Sequence, residues 1–220
     1  MGRKLVMDMQ GLQRVEEIVR KELQRRPVEV DKLDRLWEAA VLITLVDVAT
    51  EPQIVFEVRA GNLKRQPGEI CFPGGKHESA DPSLAVTAVR ETCEELGLEQ
   101  EDIELLGELD TFVTFAGPVI HPFVGVLHHP EKIHFNPQEV QEIFTVPLKF
   151  FLENEPDCYK MDMADRPPKD FPVLLGENQG GWRLRKHYNV YFYTYEKYVI
   201  WGMTARMLYS FLQRCRTLLE

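Results

Sequence analysis

Apolar positions along the chain switch between a helical and a strand-like period, and the switches mark its elements. From 9 to 26, Leu12, Val15, Ile18, Val19 and Leu23 share one helical face, Arg, Lys and Glu fill the rest, and Pro27 closes the run. An amphipathic helix is predicted there. Val41-Leu42-Ile43-Thr44-Leu45-Val46 and Ile54-Val55-Phe56-Glu57-Val58 then read as strands joined through Thr50-Glu51-Pro52. Apolar runs at 104–114, 119–127, 140–146 and 190–195 are four more predicted strands, and a last helix is expected over about 202–217, through Met203, Leu208, Phe211 and Leu212. The Pro-, Asp- and Gly-rich region 154–182 is expected to be an irregular excursion. Many strands and few helices suggest an α/β chain whose sheet is covered by helices.

The segment 82–96 carries the most information. Asp81 is a good N-cap, Pro82 suits the first helical position, and Gly97 suits the left-handed residue past the end. A helix advances about 100° per residue, so Glu94 lies roughly 60° to one side of Glu91 and Glu95 roughly 40° to the other. Three like charges on one narrow face repel unless a cation sits among them, and hard divalent ions seek carboxylate oxygens. Ala85, Val86, Val89, Cys93 and Leu96 are expected to pack the opposite face onto a core.

Composition narrows the classes. With 220 residues, 44% of them hydrophobic, the chain can bury a sizeable core. No apolar run approaches membrane-spanning length. The start, Met1-Gly2-Arg3-Lys4-Leu5-Val6, lacks the apolar stretch of a signal peptide, and the end, Thr217-Leu218-Leu219-Glu220, is not a peroxisomal address, so the expected compartment is the cytoplasm. A net charge of −9 argues against sequence-independent nucleic-acid binding. Cys71, Cys93, Cys158 and Cys215 are scattered, without metal or disulfide spacing, and the six histidines show no ligand spacing.

The run Gly75…Arg90-Glu91-Thr92-Cys93-Glu94-Glu95-Leu96-Gly97-Leu98 resembles the Nudix box. Thr92 stands at an apolar position of that motif. The loop after Gly75 carries one extra residue, with Asp81 standing in for the first acid. The resemblance implies an α/β/α sandwich with a mixed sheet, here with an added N-terminal helical extension over 1–37 ahead of a domain at 38–220. It also implies Mg²⁺ or Mn²⁺ held by Glu91, Glu94 and Glu95, with Arg90 orienting the glutamates or bracing the loop. Upstream, Val55-Phe56-Glu57-Val58-Arg59-Ala60, Lys64, Gly68 and Phe72-Pro73-Gly74-Gly75 are similar to the signature of the coenzyme A-cleaving branch. Glu57 replaces its Thr, and Lys64 replaces an Arg.

The resemblance therefore implies hydrolysis of the diphosphate of coenzyme A, a small-molecule substrate. Charge and hydropathy leave no nucleic-acid or membrane partner expected, and the N-terminal helix and the 154–182 excursion are open as a homodimer contact or a lid. Arg59 and Lys64 are the expected phosphate contacts, and Gly74 and Gly75 allow a tight backbone path beside the diphosphate. For the general base, Glu91, Glu139 and Glu142 are open, and Glu142 is assigned. A related reading is hydrolysis of another nucleoside diphosphate compound. A reading from a different class is a non-catalytic nucleotide-sensing module.

Overall fold

The structure, a computed structural model, describes residues 37–114, 117–167 and 181–219. The helix expected over 9–26 and most of the expected N-terminal extension lie outside the described residues.

Its larger sheet is built around β1 (Trp37–Val48). On one side β1 pairs in parallel with β7 (Pro118–Leu127). On the other side it pairs antiparallel with β2 (Glu51–Arg59) at one end and β4 (Gly74–Lys76) at the other. The sheet continues through β3 (Ile70–Cys71) and β8 (Val140–Pro147) on β2, and through β5 (Ile103–Glu108) and β6 (Phe112–Val113) on β7. A parallel pair needs a crossover, and α1 (Leu84–Leu96) lies in the connection between β1 and β7. The expected strand at 104–114 is thus two strands.

Alternation along β1 and β2 assigns the two faces. Ala40, Leu42, Val46 and Val55 pack with Ala88 and Leu96 of α1. Ile43, Ile54 and Phe56 pack with Leu208, Phe211 and Leu212 of α3 (Gly202–Leu219). Helices therefore cover both faces, and β1 and β2, buried on both sides, read as nearly continuous apolar runs. The short helix α2 (Leu148–Glu153) was not foreseen; its six residues are too few to show a helical period. No helix among the described residues is long and apolar enough to cross a membrane.

Two expectations are corrected. The region 154–182 is not irregular throughout. β9 (Asp157–Asp165) and β10 (Arg183–Tyr195) pair antiparallel, and β11 (Tyr198–Trp201) completes a three-stranded sheet. β9 is exposed along most of its length, so no buried face writes a period-two pattern into its sequence. Likewise, the cap of α1 is Ser83, whose Oγ accepts the Val86 N–H at 3.3 Å, and not Asp81. The helix thus starts after Ser83 and leaves the Asp81 carboxylate for other work. The far end is as expected, with Gly97 at φ 66°. Of the expected apolar stripe of α1 only Leu96 is buried, with Ala85, Val89 and Cys93 partly so; the buried line runs through Thr87, Ala88, Thr92, Glu95 and Leu96, so that two hydroxyls and a carboxyl face inward. Thr92 satisfies its hydroxyl by donating to the Ala88 carbonyl at 2.7 Å, which makes it acceptable at an apolar position.

Candidate active site

A cavity of about 550 Å³ opens where β1, the turn before β4, α1 and the start of α3 converge. Its lining includes Arg59, Gly74, Gly75, Glu91, Glu95 and Glu139. Residues that the sequence places up to 80 positions apart (59 against 139) thus face one space.

The glycine turn sets the geometry. Gly74 has φ 146°, and a Cβ there would lie 2.4 Å from the Ala40 carbonyl oxygen. Its N–H donates to Glu95 Oε2 at 2.8 Å, tying the turn to the helix. At Gly75 a Cβ would lie 2.4 Å from the Glu91 carboxylate, so this glycine leaves the room that the acid occupies. Both glycines are required by close approach.

Arg90 organises the acids around it. Its Nε and Nη2 donate to Asp81 at 2.9 and 3.0 Å, Nη2 also reaches Glu91 at 2.9 Å, and Nη1 reaches Glu94 at 3.1 Å. The guanidinium beside Asp81 holds that carboxyl well below the usual range, and the Arg90 proton is bound correspondingly more tightly. Thr87 and the Glu78 N–H complete the shell of Asp81, at 2.9 and 3.1 Å. The inserted loop is therefore fastened to the helix through Asp81 and Arg90.

The three glutamates form a gradient of burial. The Glu94 side chain is 56% exposed, that of Glu91 19% and that of Glu95 6%. Burial pushes the Glu91 and Glu95 carboxyls up, and in Glu95 the neighbouring Glu57 adds to the shift. Glu57, fully buried, is raised for the same first reason, although the Cys71 thiol donates to its Oε1 at 3.1 Å. Arg59 stands between them, 3.9 Å from Glu57 and 4.0 Å from Glu95. Among the described residues no three His, Cys, Asp or Glu side chains form a preassembled cation cage. Two of the three carboxylates nevertheless fit a hard divalent cation: Glu91 and Glu95 offer oxygen donors, partly desolvated, in a wall of the cavity.

The sequence-derived candidates divide cleanly. Arg59, Gly74, Gly75, Glu91 and Glu95 line the cavity, with Arg90 and Glu94 bound behind them. Lys64 is exposed on the loop and does not line it, whereas the adjacent Arg65 does. Glu142 is also outside the lining. Its carboxylate accepts from Lys197 at 2.8 Å and Tyr198 at 2.6 Å, and these partners hold it below the usual range. It shares a strand face with Phe144, which stacks on Tyr198 at 3.6 Å, and so is directed to the smaller sheet. Glu139, the other acid left open on this segment, lines the cavity. Cys71, Trp37 and Met207 were not foreseen at the site, whereas Met203 and Thr204 fall in Trp201-Gly202-Met203-Thr204-Ala205, a run similar to the coenzyme A branch. Glu57, part of the upstream signature, stands behind the lining as one acid inside a buried strand.

Fold and site together define an α/β domain in which a glycine turn and an acidic helix bound a ligand-sized cavity. The NUDIX domain family matches residues 36–163, and the chain belongs to that family. It is 37% identical over 132 residues to a Mus musculus protein, peroxisomal coenzyme A diphosphatase NUDT7, the match covering 60% of this chain and 55% of that one. It is 41% identical over 120 residues to a Caenorhabditis elegans protein, peroxisomal coenzyme A diphosphatase ndx-8, covering 53% and 51%. A Photorhabdus laumondii protein called uncharacterized Nudix hydrolase NudL is 30% identical over 193 residues, covering 88% of this chain and 92% of the relative. The chain spans about half the length of the two coenzyme A diphosphatases that it matches.

Proposed function

We propose that this Nudix-family chain hydrolyses the diphosphate bond of coenzyme A or its derivatives, giving adenosine 3′,5′-bisphosphate and 4′-phosphopantetheine. The observation that carries the reading is the shared lining of one cavity by Arg59, Gly74, Gly75, Glu91 and Glu95. These are residues of both the coenzyme A signature and the Nudix box. The names of the two animal relatives support the same substrate.

Glu91, Glu94 and Glu95 would hold Mg²⁺ or Mn²⁺. When bound, the ion supplies charge neutralisation at the diphosphate oxygens and lowers the pKa of a water. The chain's own residues do the rest. Gly74 and Gly75 let the backbone approach the diphosphate, and Arg59 offers a fork of N–H donors to its oxygens. Arg90 fixes the directions of Glu91 and Glu94 by binding both while Asp81 anchors it. Glu139 is the group we assign to take the proton from the attacking water. It faces the cavity, whereas the ion-paired Glu142 does not.

The test is product chromatography with Mg²⁺ or Mn²⁺ and coenzyme A, beside ADP-ribose, NADH and a dNTP. Release of adenosine 3′,5′-bisphosphate from coenzyme A, abolished by chelation and by Glu94→Gln, is the expected result. Cleavage of another compound with coenzyme A untouched would retain the family chemistry and reject the substrate. Glu139→Gln is expected to lower kcat by about 10²-fold or more, as removal of a general base does, whereas Glu142→Gln is expected to leave it within about threefold. The reverse ranking would restore Glu142 as the base.

A further inference from the structure

The cavity has a second end that the diphosphate chemistry does not use. Trp37, Ala39 and Val41 share one face of β1 and all line the cavity, as do Pro118 and Ile120, which pair with Trp37 and Ala39 on β7. An apolar floor therefore runs from beneath the glycine turn, where Val41 pairs with Gly74, out to the indole of Trp37. Above that indole stands Arg65, its guanidinium carbon 5.7 Å from the ring centroid. The loop carrying Arg65 hangs from Arg59. The Arg59 N–H donates to the Glu69 carbonyl at 2.9 Å, and the Gly68 N–H returns to the Arg59 carbonyl at 3.0 Å. Gln66 donates to the Glu69 carboxylate at 2.9 Å and braces the loop from within. The residue at the diphosphate end and the residue over the indole are thus held by one short hydrogen-bonded segment.

We propose that Trp37 and Arg65 form the subsite for the nucleoside end of the substrate: a purine base lies against the Trp37 indole, and Arg65 takes the phosphate on the ribose. The inference rests on the diphosphatase reading for its substrate but not for its geometry. An indole supplies a flat, apolar face to which a base can stack, and a guanidinium is suited to bidentate phosphate binding. The two side chains lie against each other, so the cation is held over the indole until a phosphate competes for it. Lys76, which pairs with Ala39 on the neighbouring strand and also lines the cavity, adds positive charge at this end. This matters in a chain whose net charge is −9.

The experiment compares coenzyme A with 3′-dephospho-coenzyme A on the full chain and on Trp37→Ala, Trp37→Phe and Arg65→Gln. Trp37→Ala is expected to raise KM for both substrates by about tenfold or more, and Trp37→Phe to recover most of that loss, because any aromatic face can stack. Arg65→Gln is expected to raise KM by about tenfold for coenzyme A and by less than about twofold for the dephospho form, which lacks the group it binds. Equal losses in Trp37→Phe and Trp37→Ala would assign Trp37 to packing, and a KM unchanged by Arg65→Gln would remove the phosphate contact. Either result overturns the proposal. Calorimetric binding of adenosine 3′,5′-bisphosphate to the same proteins separates the two readings. If the full chain cleaves neither substrate but its binding is weakened by both Trp37→Ala and Arg65→Gln, the subsite stands and the diphosphatase reading fails. Equal binding by all the proteins overturns the subsite.

Discussion

Gly74 and Gly75 are chemically identical neighbours that the structure uses for different ends. At Gly74 a Cβ would meet main chain, the Ala40 carbonyl at 2.4 Å and the Val41 Cα at 2.5 Å, and φ is 146°. Nothing there can rotate away. At Gly75 the obstacle is the far end of the Glu91 side chain, which can swing aside. Gly74→Ala is therefore expected to lower the unfolding free energy by about 2–4 kcal/mol, combining positive-φ strain with overpacking, as denaturant titration would show. Gly75→Ala is expected to keep the stability within about 1 kcal/mol while displacing Glu91 and reducing turnover by about tenfold or more. A Gly75→Ala protein that loses stability but keeps its turnover would contradict this division. The sequence marks both glycines as necessary, but the atoms that demand each come from elements remote in the chain, β1 for Gly74 and α1 for Gly75.

The helix α1 shows how an element can be legible while its ends are misassigned. Its acidic spacing and terminal glycine are plain in the sequence, yet Ser83 takes the capping role that preference alone would assign to Asp81. Ser83→Ala is expected to cost about 1 kcal/mol, the usual worth of such a cap, with turnover little changed. Asp81→Asn is expected to do the opposite by releasing Arg90, lowering kcat more than it lowers the thermal midpoint. A second link lies past the end of the helix, where Asp102 is hydrogen-bonded by Lys132 and by the Glu99 N–H at 3.2 Å. Lys132 chiefly, then the Glu99 N–H, holds the Asp102 carboxyl below its ordinary value. A folded-state pKa that is depressed contributes stability above the unfolded value, near pH 4, and that contribution fades as pH falls through the folded value. Asp102→Asn is thus expected to melt below the unaltered protein at pH 7, and the difference is expected to shrink as pH falls below the ordinary carboxylate value. A difference that grows on acidification would refute the assignment.

The chain as a whole places buried acids where a fold seeking only stability would place apolar side chains. Glu57 is fully buried and Glu95 is 5% exposed, with Arg59 as the nearest cation to both. Desolvation opposes charge on each, so relief of that cost is expected in Glu95→Gln. The metal-free variant should melt above the unaltered protein while losing turnover. Added Mg²⁺ or Mn²⁺ should raise the melting temperature of the unaltered chain in a concentration-dependent way, since a ligand that binds only the folded form stabilises it. The same addition should move Glu95→Gln much less. Equal shifts in both proteins would remove Glu95 from the set of ligands.

By itself the sequence determined what depends on local spacing. Three glutamates fall on one helical face because 91, 94 and 95 are three and four apart. The helix ends at Gly97 because a left-handed residue is needed there, and β1 and β2 are buried because their runs are apolar. The glycines, Glu91 and Glu95 of the cavity lining can likewise be read from one contiguous segment. Contact across the sheet was left to the tertiary structure. Only the packed strands decide that Arg65 and not Lys64 turns to the cavity, and that Glu139 faces it while Glu142 is consumed by Lys197 and Tyr198. The same packing places Trp37 at its mouth and puts Glu57 against Glu95. β9 stayed hidden for the complementary reason: it is ordered by its backbone ladder with β10, and an exposed strand has no buried face to impress on its sequence. Local periodicity encodes which side of an element is inside, but the neighbour met there is chosen by long-range packing.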